Sequence, residues 1–178
     1  MFSRSRPRQL ETEQALHDVA LRALMRRAHS VQEMKKKLSR YTRNDLLVHV
    51  VLARLKESGR LNDETFAKQF ARVRTESRKQ GQFRIARELR ERGVADAQID
   101  SALQEAAAQS DAAGLIRQRI ERKVKSYRGE MDEKKIASIY GSLLRAGFPA
   151  ELIRRELRRL SSEDLPESDS SETDVSRS

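Results

Sequence analysis

Adding 54 to the positions of Ile85, Leu89, Gly93, Val94, Ile99 and Leu103 lands on Ile139, Leu143, Gly147, Phe148, Ile153 and Leu157. Six apolar or glycine positions held in register over that distance mark an internal repeat, which restricts the fold more than any local pattern does. Subtracting 51 carries Ile85, Leu89, Ile99 and Leu103 onto Met34, Leu38, Val48 and Leu52, with Thr42 standing where the glycine would be. Three related units of about 50 residues are expected, the first of them the loosest.

Each unit reads as three helices, because apolar residues recur at helical spacing and capping residues, Gly or Pro punctuate them about every 15 positions. The inward positions of unit one are Leu16, Val19, Ala20, Ala23 and Leu24, then Met34 and Leu38, then Val48, Val51, Leu52 and Leu55. Those of unit two are Phe66, Phe70 and Val73, then Ile85 and Leu89, then Ile99, Ala102 and Leu103. Unit three supplies Ile116, Ile120 and Val124, then Ile139 and Leu143, then Ile153, Leu157 and Leu160. Ser30-Val31-Gln32-Glu33 has the form of a capping box, in which Ser30 accepts from the backbone of Glu33 and the glutamate reaches back. Asn44 or Asp45, and Asn62 or Asp63, are candidate caps, and Gly59 and Gly93 fall where left-handed helix stops are expected.

The predicted fold class is all-α: three tandem three-helix repeats forming an elongated array. The predicted segments are a flexible basic N-terminus (1–13), repeats at 14–61, 62–108 and 109–160, and an acidic, serine-rich, disordered tail (161–178). Helices of about 15 residues are roughly 22 Å long, so three units in line reach on the order of 60 Å.

Charge points to the partner. The chain has 37 Lys+Arg against 27 Asp+Glu, for a net charge of +10. The tail holds six acids and only Arg177, so residues 1–160 carry +15, from 36 Lys+Arg and 21 Asp+Glu. A charge this far from zero favours a polyanion, either nucleic acid or an acidic protein surface.

Several function classes lose their usual signatures. There is no cysteine, and His17, His29 and His49 have no ligand-spaced partners, so no metal site is expected. His29 reads as part of a helix connection and His49 as a helix residue near a core edge. The phosphate loop G-x-x-x-x-G-K-S/T, G-x-G-x-x-G and G-x-S-x-G are all missing, so no enzyme and no cofactor are expected. No apolar run approaches the roughly 20 residues of a membrane helix. With no apolar stretch after the basic N-terminus, a cytoplasmic protein is expected.

The candidate binding residues are Arg26 and Arg27, the run Lys35, Lys36 and Lys37 with Arg40, the cluster Arg72, Arg74, Arg78 and Lys79, and the helical stripe Arg84, Arg87 and Arg90. Arg92 follows the stripe, and Arg117, Arg119, Arg122, Lys123, Lys125 and Arg128 repeat the pattern in unit three. Phe66, Phe70 and Phe148 fall in core registers, which argues against a dedicated base-stacking binder of single strands.

Arg26-Arg27-Ala28-His29-Ser30-Val31-Gln32-Glu33-Met34-Lys35-Lys36-Lys37-Leu38 and Gly59-Arg60-Leu61-Asn62-Asp63-Glu64-Thr65-Phe66-Ala67 together resemble the RecX regulatory proteins. The likeness continues through Arg87-Glu88-Leu89-Arg90-Glu91-Arg92-Gly93-Val94 and Leu144-Arg145-Ala146-Gly147-Phe148, over about residues 15–160. Tyr41-Thr42 departs from it, and both termini lie outside it. The resemblance implies a tandem three-helix protein that binds the RecA recombinase filament on DNA and restrains recombinase and coprotease activity, and so recombination, repair and the SOS response. It implies contact with single- and double-stranded DNA through the phosphate backbone, and a monomer is expected. Two other readings stay open: a helix-turn-helix duplex-binding transcriptional or architectural protein, and a scaffold for an acidic protein.

Overall fold

The computed structural model describes residues 9–127 and 131–163, the last four of these by backbone alone. Residues 1–8, the side chain of Leu160, and the acidic tail from residue 164 onward lie outside the described residues, as does Arg128. Nine helices and no strand are present among the described residues. They are α1 (Glu13–Arg26), α2 (Val31–Leu38), α3 (Asp45–Glu57), α4 (Asp63–Glu76), α5 (Gln82–Glu91), α6 (Asp96–Ala108), α7 (Ala112–Ser126), α8 (Glu133–Arg145) and α9 (Ala150–Glu163).

Most helices begin where a short polar side chain can take an orphan backbone N–H. Thr12, Ser30, Asn44, Asn62, Asp111 and Asp132 accept from Ala15, Glu33, Leu47, Thr65, Gly114 and Lys135 respectively. The capping box forms only by half. Ser30 Oγ accepts from the Glu33 amide at 3.1 Å, but the Glu33 carboxylate turns to Arg27 at 2.7 Å and to Arg92 at 3.5 Å.

Three separate cores follow. Leu16, Met34, Leu38, Val51 and Leu55 centre the first, Ala67, Ile85, Leu89 and Ile99 the second, and Ile116, Ile120, Ile139, Leu143 and Ile153 the third. Two expected core residues are instead exposed: Val73 on α4 and Val124 on α7. The buried face of α4 runs through Phe66, Ala67, Ala71 and Thr75, and Val73, two residues past Ala71, is turned about 200° away from it. Val124 lies eight residues past Ile116 and so is turned about 80° from it, while Tyr127 beyond it still packs on the third core.

Gly93 and Gly147 close α5 and α8 at φ +74° and +90°. In both turns the next residue, Val94 or Phe148, is buried and donates back to Leu89 or Leu143 at 3.2 Å, a left-handed stop with its apolar contact.

These turns are also where the units meet. Ser30, at the start of α2, donates its hydroxyl to the carbonyl of Arg92 at 2.6 Å, and Asp63 accepts the Val31 amide at 2.8 Å. One junction later, the Gly81 amide at the start of α5 donates to the Ala146 carbonyl at 2.8 Å, and Phe83 donates to the Gly147 carbonyl at 3.0 Å. The middle helices of units one and two, α2 and α5, therefore each plant their N-terminus on the turn that ends the next unit's middle helix. Position 81 has no room for a side chain, since a Cβ there would sit 2.2 Å from the Gly147 carbonyl carbon, and α5 accordingly lacks a side-chain cap.

The matching turn of unit one is met differently. The carbonyl of Tyr41, which the 51-residue offset matches to Arg92, accepts instead from the Leu10 amide at 2.6 Å. Nothing helical has to approach closely there, and Thr42 fills the glycine position without a positive φ. The blurred register of the first unit has this physical reason.

Candidate polyanion-binding surface

The basic residues singled out from the sequence separate by what they touch. Arg27 binds Glu33 at 2.7 Å, and Arg74 binds Glu88 at 3.1 Å while its guanidinium lies 4.7 Å from the centre of the Phe70 ring. The stripe on α5 is exposed, but its members have carboxylates in their own unit: Arg84 with Glu88 at 3.1 Å, Arg87 with Glu91 at 3.9 Å and Arg90 with Asp96 at 2.7 Å. Arg26, Lys35, Lys36, Lys37, Arg40, Arg72, Arg78 and Lys79 form no ion pair with a described carboxylate. Of these, Lys37 and Lys79 are half-buried and the others exposed.

The repeat relates some of these positions. Lys36 on α2 and Arg87 on α5 occupy the same register, 51 residues apart, and both are exposed. Arg27 and Arg78 share a second register at the end of each unit's first helix.

The junctions position the rest. Between units one and two, Glu33 lies within 4 Å of Arg27, His29 and Arg92. Burial alone would push the Glu33 carboxyl up, but the hydrogen bond and charge of Arg27, with His29 and Arg92, hold it below its ordinary value. His29 is buried, and burial together with the Arg27 charge pushes its imidazole down despite Glu33. Burial pushes the Asp63 carboxyl up, only partly countered by the Val31 amide. Arg92 lies 4.7 Å from the Phe70 ring centre, which clamps this junction from the unit-two side.

Between units two and three, Arg119 of α7 reaches back to donate to the carbonyls of Lys79 at 2.9 Å and Arg78 at 3.3 Å. Lys79 is the one non-glycine residue with positive φ among the described residues, at 53°, and these bonds fix its turn. Helix α7 is not uniform: Arg117 is drawn inward to Asp111 at 3.3 Å and to Glu156 at 3.0 Å, whereas Arg119, Arg122 and Lys123 pair with no described carboxylate. The sequence pattern places these four with Lys125 and Arg128 in one motif and does not separate the structural Arg117 from the rest. The signal that could have done so is Glu156, a glutamate in the inward register of α9 that needs a buried partner.

No group of three or more His, Asp or Glu residues that could hold a metal occurs among the described residues. No described helix is long and apolar enough to cross a membrane.

Residues 62–103, nearly the whole of the second unit, match a family model described as RecX, second three-helix domain. A protein of Halorhodospira halophila named regulatory protein RecX is 48% identical over 93 residues, 52% of this chain and 57% of that one. A protein of the same name from Pseudomonas putida is 34% identical over 148 residues, covering 83% of this chain and 92% of its own length. This chain belongs to the RecX family. Its fold agrees: the crystal structure of RecX from Lactobacillus salivarius superposes with a TM-score of 0.72 at 18% identity, covering 84% of this chain and 97% of that one. The proteins named RecX among its relatives carry a regulatory rather than an enzymatic name.

Proposed function

We propose that this chain binds the RecA recombinase filament on DNA and inhibits recombinase and coprotease activity, and thereby modulates homologous recombination, DNA repair and the SOS response. Membership of the RecX family carries the reading. The geometry supports it in two ways. Three small units in series offer a repeating surface suited to a repeating partner. Cations without carboxylate partners occur in every unit, at Lys35 and Lys36, at Arg72 and Arg78, and at Arg122 and Lys123.

Binding by itself accounts for inhibition. An array seated along a filament and bridging neighbouring protomers obstructs a second duplex or further growth, and no bond has to be made or broken. The α5 arginines contribute less than their number suggests, because Glu88, Glu91 and Asp96 already offset their charge. Exposed pairs of this kind are worth only about 0–1 kcal/mol, so an incoming phosphate can displace them.

The deciding experiment is a binding series at rising salt against bare duplex, bare single strand, recombinase alone and the ATP-bound recombinase filament. Tightest binding to the filament is expected. Equal or tighter binding to bare duplex would remove this reading in favour of a helix-turn-helix DNA-binding protein.

A further inference from the structure

From the geometry we infer that the groove between α7 and α8 of the third unit is a phosphodiester-binding site, in which Arg119, Arg122 and Lys123 hold the nucleic-acid backbone with Ser126 and Ser142 as hydroxyl partners. The groove encloses about 300 Å³ and is lined by these five side chains over Ile139 and Leu143. It deepens the reading of the chain as a binder of DNA-bound filaments and rests on it.

Four observations point to an anion there. First, three cations share one open groove, and none pairs with a described carboxylate, although Arg117 on the same helix takes two. Second, Arg119 is held in place before any ligand arrives, by the carbonyls of Arg78 and Lys79 and by the Phe148 ring 5.8 Å away. A guanidinium fixed in advance loses little freedom on binding. Third, its Nε is buried with no hydrogen-bond partner, so the protein meets the Arg119 charge only with two carbonyls and a ring. Fourth, burial and the neighbouring charges of Arg122 and Arg84 press on Arg119, an arrangement that an incoming negative charge relieves.

A backbone fits better than a free phosphate ion. The groove adjoins the unit-two junction: Arg119 feels the charge of Arg84, which Glu88 only partly offsets, and the carbonyls it holds belong to Arg78 and Lys79, two residues without a described carboxylate partner. Three groove cations with more basic residues next to them in sequence and across the junction suit a chain of phosphates better than a single one.

The test uses the full chain and two paired variants. Arg122→Ala with Lys123→Ala removes two exposed groove cations and leaves Arg119 and its junction bonds intact. Arg43→Ala with Arg60→Ala removes the same charge from exposed positions in unit one. Binding of fluorescent single-stranded and duplex oligonucleotides is followed by anisotropy across a salt series, with circular dichroism as a check on folding. Loss of about tenfold in affinity at low salt, and a salt dependence shallower by about 2, are expected for the groove pair alone. An Arg122→Lys, Lys123→Arg chain should bind like the parent. Equal losses in both Ala pairs would mean general charge attraction and overturn the site, as would no loss in either or no oligonucleotide binding by the parent. Titration with inorganic phosphate separates the sources: saturable phosphate binding lost in the groove pair, with oligonucleotide affinity unchanged, overturns the backbone assignment. Binding of the parent to the recombinase filament is measured beside these. Its absence would remove the proposed function and leave the groove result standing.

Discussion

The hydroxyl of Ser30 donates to the carbonyl of Arg92, 62 residues further along the chain, while the same oxygen accepts from the Glu33 amide. One side chain thus starts a helix and ties two units together. Ser30→Ala should lower stability by about 2 kcal/mol, above the loss of a simple cap, because the Arg92 carbonyl loses its partner as well. Urea unfolding followed by circular dichroism measures this. Hydrogen exchange of α2 should rise at the same time.

The three left-handed glycines should rank by what an added methyl meets. At Gly59 nothing lies within 4 Å, so Gly59→Ala has only the conformational penalty, about 1 kcal/mol. At Gly93 the methyl meets the Gln32 side chain, which can move in part, and about 2 kcal/mol is expected. At Gly147 it meets the Arg84 amide nitrogen at 2.4 Å, and backbone cannot yield without opening the junction. About 3 kcal/mol is expected there. Unfolding midpoints in any other order would contradict the junction geometry.

Glu156 is only 3% exposed and depends on Arg117. Arg117→Ala leaves a buried carboxylate facing Arg155 alone at 3.4 Å, with an expected loss of about 3 kcal/mol. Combining it with Glu156→Leu should recover most of that loss. A double variant no more stable than the single one would show that the pair is not what Arg117 contributes.

Acid should loosen the first junction. The His29 and Glu33 pKa values are both lowered in the folded chain, so for each group the unfolded state binds the proton more readily. Stability they contribute is complete above the unfolded values and is lost as pH falls through the folded ones. The histidine acts first, below its ordinary value of 6.5, and the glutamate below 4.5. Asp63 has the opposite sign, its raised pKa favouring the folded state below 3.8 and losing that contribution as pH rises. Unfolding free energy measured from pH 7.5 down to pH 5.5 should therefore fall, and His29→Gln should flatten that part of the curve.

The acidic tail makes a prediction from sequence charge alone. Its six acids can compete for the basic surface, so a chain ending at residue 160 should bind oligonucleotides more tightly at low salt, with the difference fading as salt rises. No change on removal would leave the tail a solubilising segment.

What could be read in advance follows from the range of each interaction. Met34 with Leu38, Ile85 with Leu89 and Ile139 with Leu143 are spaced by one helical turn and announce themselves. Val73 and Val124 are exposed, because an apolar residue at near-helical spacing can still be turned off the buried arc of its helix. Arg84 with Glu88 and Arg87 with Glu91 are legible as pairs four residues apart, whereas Arg74 with Glu88 joins two helices and Arg90 with Asp96 crosses a turn. The junctions are the least legible feature, since their acceptors are backbone carbonyls, which every residue possesses. Only the glycines at 81, 93 and 147 hint that chains approach closely there.

Three carbonyls at matching places, Tyr41, Arg92 and Ala146, each receive a donor from the segment that comes before. The second and third are met by helix starts, and the first by Leu10, a short stretch of the same chain. This plugs the socket. The helix start of a second molecule would find the Tyr41 carbonyl already taken by the Leu10 amide. A contact that joins two units elsewhere is, at unit one, closed by a few residues ahead of its own first helix.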